Sequence, residues 1–379
     1  MEVKLTGRID SSNAAIVEAD LIKEINGFNG EILLDASNLE YISSAGLRVI
    51  LRLKKTNPNT KVINCSVDVY EIFDMTGFTE MMEISKAYRQ ISIEGCEVIG
   101  EGANGIVYRT DPDTIVKVYK NPDSIAAINN ERELARKAFV MGIPTAIPYD
   151  VVKVGDLYGS VFELLNAKSF AMLIREGQSV ESLTKQSVDI LKIIHNTTLK
   201  ENELPNKKAR VKVWIDFVKP YLKEEVATKL GNLLDDVPNT LNMLHGDYHI
   251  KNILQQNGEN LLIDMDTLSM GHPIFEFSEI FGAYLGYSCV DKDNSAAFLG
   301  IEREQCLEIW NYTLKYYFND KDEKFIEDIE RKSAIISYSH ILRRMVRKFG
   351  VDDPYASDVI RYCINYINEN VPKIDKLWF

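Results

Sequence analysis

Three polar residues in the stretch from residue 243 to residue 266 limit what this chain can fold into more than any other feature. Asp247 and Asn252 follow an apolar lead-in, and Asp264 comes directly after the apolar run 261–263. That short run predicts a buried strand that ends in a carboxylate, with a turn before it. The pattern therefore predicts a loop, a hairpin and a strand end that gather the three polar side chains at one site.

The three side chains suit phosphoryl transfer. That reaction needs a carboxylate to accept the proton of the attacking hydroxyl group, and hard oxygen ligands for Mg²⁺. Asp247 fits the first role, and Asn252 and Asp264 fit the second. A polar turn between two core strands is the alternative for each residue taken alone, but the other parts that the reaction requires lie upstream in the expected order.

The sequences HGDYHIKN at 245–252 and IDMD at 263–266 resemble the catalytic and metal-binding motifs of the aminoglycoside phosphotransferase and choline kinase group, relatives of the protein kinases. The resemblance implies an α+β bilobal protein kinase-like fold, with ATP and Mg²⁺ as cofactors. It also implies that Asp247 is the catalytic base and that Asn252 and Asp264 hold the metal.

A glycine-rich segment and a single lysine lie ahead of that stretch. Gly100, Gly102 and Gly105 have the G-x-G-x-x-G spacing between two strand-like segments, which predicts a hairpin over nucleotide phosphates and not a dinucleotide-binding fingerprint. Lys117 lies inside the apolar strand 114–119, where an ammonium group is costly without an anionic partner. Phosphate oxygens and a glutamate from the next helix would supply that partner.

Two further site assignments come from the resemblance. It implies that the next helix supplies Glu133 as the partner of Lys117, with Glu131 as the fallback. It also implies that the segment from Glu163 to Leu165 is the hinge between the lobes, where backbone groups would contact adenine. A surface lysine beside exposed glutamates is the alternative for Lys117.

Residues 1 to about 90 alternate strands with helices. Alternating apolar and polar residues predict the strands, and Ser, Asn and Gly at the segment ends predict helix caps and turns. Such a short repeat of strand and helix implies a small sheet covered by helices, an α/β arrangement. The predicted strands span 3–9, 31–35 and 61–64, and the predicted helices run to 25 and span 47–55 and 67–75.

This segment resembles the STAS domain of anti-sigma-factor antagonists. In that family a serine at a helix start is the phosphorylated switch, and Ser44 occupies the matching position, although Ser43 stands where an aspartate is usual. The resemblance implies a protein partner for this domain, and an unmodified N-cap serine is the alternative for Ser44. The residues that carry the resemblance lie at 5–10, 34–37, 41–48 and 73–78.

The composition of the chain limits the kinds of partner that we expect it to bind. The formal net charge of −12 argues against nucleic acid and suits a cationic acceptor or a nucleotide with its metal. Five cysteines without a CxxC pair are typical of reduced thiols. The chain shows neither an apolar run long enough to span a membrane nor a signal-like N-terminus. We therefore expect a cytoplasmic protein that does not contact membranes.

These patterns predict an α/β STAS-like domain at 1–88, a kinase-like N-lobe at 89–166 and a mainly helical C-lobe at 167–379. No long loop with an A-P-E triplet follows Asp264, and protein kinases use such a segment to hold peptides. The leading hypothesis is therefore an ATP- and Mg²⁺-dependent phosphotransferase that acts on a hydroxyl group of a small molecule, with the STAS domain as regulator. The alternative is a signalling protein that phosphorylates serine in its own or a partner's STAS domain.

Overall fold

A computed structural model describes residues 1–102, 104–165 and 167–379, so the predicted lobe limit at residue 166 lies outside the described residues. Nothing is described of the Tyr355 side chain. The chain forms two compact units: Met1–Gly95 with Val151–Gly159, and Cys96–Asp150 with Ser160–Phe379. Within the described ranges, no helix combines the length and the apolar character that crossing a membrane requires.

The first unit contains a parallel four-stranded sheet with strands in the order β1, β2, β3, β4, covered by helices. Side chains along β1 alternate between exposed and buried, so Val3, Leu5 and Ile9 face the core. Val3 pairs with Leu34 of β2, which is fully buried. The elements are β1 (Glu2–Ile9), α1 (Ala14–Ile25), β2 (Ile32–Ile42), α2 (Ser44–Thr56), β3 (Thr60–Cys65), α3 (Val67–Met75), α4 (Phe78–Met81), β4 (Ile84–Lys86) and β5 (Arg89–Gln90).

The predicted order of strands and helices in this unit is confirmed. The helix predicted at 67–75 is found at those residues. Strand β2 is longer than the predicted 31–35, because its later residues continue to pair with β1 as far as Ile9 and Ile42. The extension brings the end of β2 directly to the start of α2.

Helix α2 approaches the sheet most closely at Gly46. A Cβ atom at this position would lie 2.7 Å from Ile42 Cγ1 and 2.8 Å from Ile9 Cγ2. Both isoleucines are buried in the core of the first unit. Lack of space, and not an unusual backbone conformation, therefore requires glycine here.

The second unit joins a small sheet to a large helical body. Its strands lie in the order β10, β8, β7, β6, and a single apolar core fills the helical body. The elements that follow β5 in the chain are β6 (Glu97–Glu101), β7 (Gly105–Asp111), β8 (Thr114–Tyr119), α5 (Ile125–Val140), β9 (Asp150–Val154), β10 (Leu157–Glu163), β11 (Lys168–Ser169), α6 (Phe170–Arg175), α7 (Val180–Asn196), α8 (Lys207–Val218), α9 (Glu224–Asp235), β12 (Met243–Leu244), β13 (Ile253–Gln256), β14 (Glu259–Leu262), β15 (Ser269–Met270), α10 (Ile274–Tyr284), α11 (Asn294–Leu299), α12 (Arg303–Tyr317), α13 (Glu323–Phe349) and α14 (Pro354–Asn370).

Strand β9 contributes its residues to the first unit. It pairs in parallel with β5, which sets Arg89 opposite Val152. The rings of Tyr88 and Tyr158 meet edge to face, with centroids 5.2 Å apart. Residues Val151–Gly159 are therefore part of the first unit, although they lie far along the chain from its other residues.

The mainly helical C-lobe has a break at Pro220. A short 3₁₀ turn, Lys219–Tyr221, separates α8 from α9. Proline has no N–H group to continue the hydrogen-bond ladder, and its ring clashes with the preceding turn of an α-helix.

Replacing Gly46 by alanine is expected to lower the free energy of unfolding by about 1–3 kcal/mol, because the new methyl group overlaps two buried side chains. Urea unfolding followed by circular dichroism measures the change. The exposed Ser44, on the same helix, gives the control: Ser44→Ala should change stability by less than about 0.5 kcal/mol. Equal stability of the two variants would contradict the close packing at Gly46.

Candidate functional site

Lys117 is the centre of a partly buried ion-pair network. It lies on β8 between the buried residues Val116 and Val118. Its Nζ atom is 2.9 Å from Glu131 Oε1 and 3.2 Å from Asp264 Oδ1. Burial by itself would lower the pKa of the lysine, but the carboxylates of Asp264 and Glu131 outweigh burial and raise that pKa above its usual range. The ammonium group therefore stays charged inside the sheet.

Glu131, and not Glu133, is the helix partner of Lys117. The prediction of Glu133 is therefore wrong, and Glu131, the fallback residue, pairs with the lysine. Tyr119 Oη also donates a hydrogen bond to Glu131 Oε2 at 2.6 Å. Residues two apart on an α-helix are separated by roughly 200° around the axis, so only one of the two glutamates can face the strand. Glu133 is exposed and pairs with Lys137 at 2.8 Å.

A tight backbone turn shapes the loop that carries Asp247. Gly246 has a φ of +85°, and a Cβ atom there would lie 2.5 Å from the carbonyl oxygen of Thr267. Only glycine fits a position with both restrictions. The carboxylate of the fully buried Glu276 accepts hydrogen bonds from the N–H groups of His245 and Gly246. Helix α10 thereby holds the loop in place.

Asn252 lies beside Asp247 in this loop. Its Nδ2 atom donates to the Asp247 carbonyl oxygen at 3.0 Å, and His249 Nε2 lies 3.5 Å from Asp247 Oδ1. Because the amide nitrogen of Asn252 is engaged, its Oδ1 atom is the end that is left to bind a cation. Burial, followed by the negative charges of Asp264 and Glu279, raises the pKa of Asp247.

Asp264 connects this loop to the Lys117 network. It follows β14 with φ +66° and ψ +59°, a left-handed conformation that is uncommon for residues other than glycine. The N–H group of Ile263 donates to the Asn252 carbonyl oxygen at 3.0 Å, so the chain leading to Asp264 is tied to the loop. The structure therefore brings Lys117, Asp247, Asn252 and Asp264 into one region of the second unit.

Asp266 belongs to the same region, although the sequence analysis did not assign it to the site. Burial first, and then the negative charges of Asp264 and Glu131, raise its pKa to about 6. An Asp-x-Asp pair at the end of an apolar run is the sequence signal that points to it. The two-residue spacing alone does not indicate which carboxylate contacts the lysine.

The glycine-rich segment forms the turn between the antiparallel strands β6 and β7, which confirms the predicted hairpin. The N–H group of Gly102 donates to the Gly105 carbonyl oxygen at 2.9 Å. A Cβ atom on Gly105 would lie 2.6 Å from the Val118 carbonyl oxygen, so this glycine lets β7 approach β8. Gly100 and Gly102 have room for a Cβ atom, so packing does not require glycine at these two positions.

The predicted hinge begins where β10 ends at Glu163. The N–H group of Leu164 donates to the Asp113 carbonyl oxygen at 2.8 Å. The start of this segment is thus tied to the residue just before β8.

Ser43 and Ser44 have different positions at the start of α2. Ser43 is the N-cap, and its hydroxyl oxygen accepts a hydrogen bond from the Ala45 N–H group at 3.2 Å. Ser44 is the first residue of the helix, and its side chain is exposed. The alternative in which Ser44 is the cap is therefore wrong, because Ser43 fills that role.

Comparison with known proteins defines the class of this chain. Residues 95–305 match the family model described as the phosphotransferase enzyme family, and residues 1–91 match the STAS domain model. The first match covers more than half of the chain. The chain belongs to the phosphotransferase enzyme family, and it carries an N-terminal STAS domain ahead of its kinase-like part.

Three individual proteins illustrate what the chain is similar to. BtrV of Bordetella bronchiseptica, a candidate anti-sigma factor antagonist, is 31% identical over 87 residues, which cover 22% of this chain and 75% of that protein. A thermostable mutant of the aminoglycoside phosphotransferase APH(4)-Ia is 13% identical with a TM-score of 0.49, covering 72% of this chain and 94% of that chain. The ADP-bound aminoglycoside phosphotransferase APH(2'')-Ib is 15% identical with a TM-score of 0.48, covering 82% and 99%.

Substitution of the two helix glutamates separates their roles. Glu131→Gln should lower the free energy of unfolding by about 1–3 kcal/mol, because Lys117 and Tyr119 lose a charged partner inside the protein. Glu133→Gln is the matched control, with an expected change below about 0.5 kcal/mol, since its ion pair is exposed. Urea unfolding measures both. A larger loss in Glu133→Gln would contradict the assignment of Glu131 as the partner.

Proposed function

We propose that this chain transfers the γ-phosphoryl group of ATP to a hydroxyl group of a small molecule, with Mg²⁺ as cofactor. The observation that carries the proposal is the Lys117 network, in which the lysine contacts Asp264 beside the loop of Asp247 and Asn252. A buried ammonium group, a proton-accepting carboxylate and two hard oxygen donors are the parts that this reaction needs.

Asp247 is the proposed catalytic base. The acceptor oxygen forms a bond to the γ-phosphorus atom while the bond from that phosphorus to the bridging oxygen of ADP breaks. The hydroxyl proton passes to the Asp247 carboxylate and from there to solvent, so the products are a phosphate ester, ADP and a proton. The raised pKa of Asp247 supports this role, because a carboxylate of higher pKa accepts a proton more readily.

The nucleotide is assigned to the face of the small sheet. In this proposal Lys117 contacts phosphate oxygens, Gly100 and Gly102 cover the phosphates, and the backbone at Glu163 and Leu165 contacts adenine. The room around the two glycines supports their assignment to the nucleotide, since packing against the protein does not account for glycine there. Without side chains, their backbone N–H groups can approach phosphate oxygens.

Asn252 and Asp264 are the residues that would hold Mg²⁺. The Asn252 Oδ1 atom and the Asp264 carboxylate are hard oxygen donors on adjoining segments. Mg²⁺ prefers such donors and commonly binds one or two protein groups together with water and phosphate oxygens. In the described part of the chain, no three His, Cys, Asp or Glu side chains are grouped for a metal, which fits a site completed by the substrate. When bound, the metal neutralises negative charge on the phosphates.

Asp247→Asn is expected to reduce ADP formation in the presence of small hydroxyl acceptors by about 10²–10⁴-fold, because the amide cannot accept the proton. A coupled ADP assay measures turnover, and ADP titration checks that the variant still binds nucleotide. Asp320→Asn, at an exposed ion pair with Lys321, is the matched control with unchanged turnover. If Asp247→Asn turned over ATP at the rate of the unmodified chain, the proposed base would be wrong.

A second candidate function is phosphorylation of protein serine. The exposure of Ser44 at the first position of α2 favours it, because a phosphate there would lie beside the positive end of a helix dipole. The STAS domain itself also favours a protein partner. In this function the chain would modify Ser44 of its own or a partner's STAS domain.

Intact mass after incubation with ATP and Mg²⁺ distinguishes the two functions. The small-molecule proposal predicts no change in mass, since the phosphoryl group leaves with the acceptor. A gain of one phosphoryl group that both Ser44→Ala and Asp247→Asn abolish would establish the second function. A gain that survives Ser44→Ala would place the modification at another residue.

A further inference from the structure

Four arginine side chains gather where α8 packs against α13 in the second unit. Arg210 lies on α8, and Arg343, Arg344 and Arg347 lie on α13. Burial first, and then the positive charges of Arg347 and Arg210, lower the pKa of Arg343, and Arg344 is its direct neighbour on α13. We call these four residues the arginine cluster.

No ion pair joins the arginine cluster to a carboxylate within the residues that the structure describes. The nearby Glu279 is already engaged: its Oε1 atom accepts from Lys207 Nζ at 2.8 Å, and its Oε2 atom lies 3.5 Å from His340 Nδ1. Arg210, Arg344 and Arg347 are exposed and Arg343 is half-buried, so solvent screens part of their repulsion and an anion can reach them, in a chain whose net charge is otherwise −12. An anion from outside the chain would relieve the repulsion.

Three of these guanidinium groups lie close to aromatic rings. The Cζ atom of Arg210 is 6.0 Å from the ring centroid of Trp214, and that of Arg343 is 5.9 Å from the centroid of Phe217. The Cζ atom of Arg344 is 5.7 Å from the ring centroid of Tyr287. A ring contacts the flat face of a guanidinium group and leaves the N–H groups along its edge available to an anion.

Arg343 carries an unsatisfied donor. Its Nε atom is buried and has no hydrogen-bond partner among the described residues. Its stacking partner Phe217 offers a ring but no acceptor oxygen. A buried N–H group without a partner costs free energy, and a bound oxygen anion would remove that cost.

The arginine cluster lies next to the loop of the proposed base. Arg344 Nη1 donates to Tyr287 Oη at 3.5 Å. Just before Tyr287 in the chain, Tyr284 Oη accepts a hydrogen bond from the N–H group of Ile250, in the base loop, at 3.0 Å. Burial raises the pKa of Tyr287; Arg344 lowers it, and the negative charges of Glu279 and then Asp247 raise it. Tyr287 therefore contacts Arg344 and belongs to the segment that directly follows the helix bound to the base loop.

We propose that the arginine cluster binds the anionic group, a phosphate or a carboxylate, of the hydroxyl acceptor that Asp247 activates. The inference rests on the phosphotransferase function proposed above. Guanidinium groups match the geometry of phosphate and carboxylate oxygens and bind them with paired hydrogen bonds. An anion held at the cluster leaves a hydroxyl group on the same molecule to reach the base. The acceptor is then an anion-bearing alcohol, and not the cation that the acidic net charge suggested.

Isothermal titration calorimetry of the full chain with inorganic phosphate tests this subsite, with excess ADP and Mg²⁺ present to fill the nucleotide site. We expect saturable binding that is at least about tenfold weaker in Arg343→Gln and in Arg344→Gln, because each change removes charge-assisted hydrogen bonds. Arg361→Gln is the matched control, since Arg361 is exposed and pairs with Asp358 at 2.6 Å. Absence of phosphate binding, or equal affinity in Arg343→Gln and the unmodified chain, would overturn the subsite.

Two further titrations connect the subsite to the base and to the charge of the acceptor. Asp247→Asn removes a negative charge close to Tyr287, so phosphate affinity should rise by about two- to fivefold. An unchanged affinity would contradict the proposed position beside the base. Glucosamine 6-phosphate should bind and glucosamine should not, and equal binding of the two would contradict an anionic acceptor.

Measurements of ATP turnover distinguish a failure of the anion subsite from a failure of the proposed phosphotransferase function. If the arginine variants lose phosphate binding while Asp247→Asn leaves ATP turnover intact, the phosphotransferase proposal fails, and the cluster remains an anion site without its catalytic role. If turnover requires Asp247 but phosphate binding does not require Arg343 or Arg344, the subsite alone is wrong.

Discussion

The kinase-like unit depends on keeping one ammonium group charged inside an apolar sheet. Lys117 lies on β8 among buried aliphatic side chains, and no single neighbour offsets its charge alone. Glu131 comes from α5 and Asp264 from the segment after β14, so the two carboxylates tie separate elements to one strand. An unpaired buried charge costs several kcal/mol, roughly the scale of a domain's net stability, so the charge is a strong constraint on the positions of these elements.

A second set of buried contacts fixes both ends of the loop of Asp247. The Glu276 carboxylate binds two consecutive N–H groups at one end of the loop, and Tyr284 binds the N–H group of Ile250 at the other. Both residues belong to α10, which packs against α13. The same helix therefore positions the proposed base and carries the chain on to the arginine cluster, which explains how base and cluster come to be neighbours.

Features that depend on local periodicity could be predicted from the sequence. Features that depend on packing between elements far apart in the chain could not. The strand at 114–119 and the helix at 67–75 follow from apolar runs with clear ends, and both are found at those residues. Glu131 and Glu133 cannot be told apart in this way, because the rotation of α5 is set by its contacts with the rest of the unit. The adjacency of Arg210 and Arg343 depends on two helices far apart in the chain, which no local pattern records.

The close approach of α2 to its sheet at Gly46 determines how a modification at the start of that helix would act. Ile9 and Ile42 leave no space for the backbone to move inward, and Ser43 already caps the helix. A negative charge added at Ser44 would therefore change the electrostatic surface of the first unit without changing its shape. A binding protein would detect such a change by direct contact with the helix end, and the free domain would have nearly the same backbone in either state.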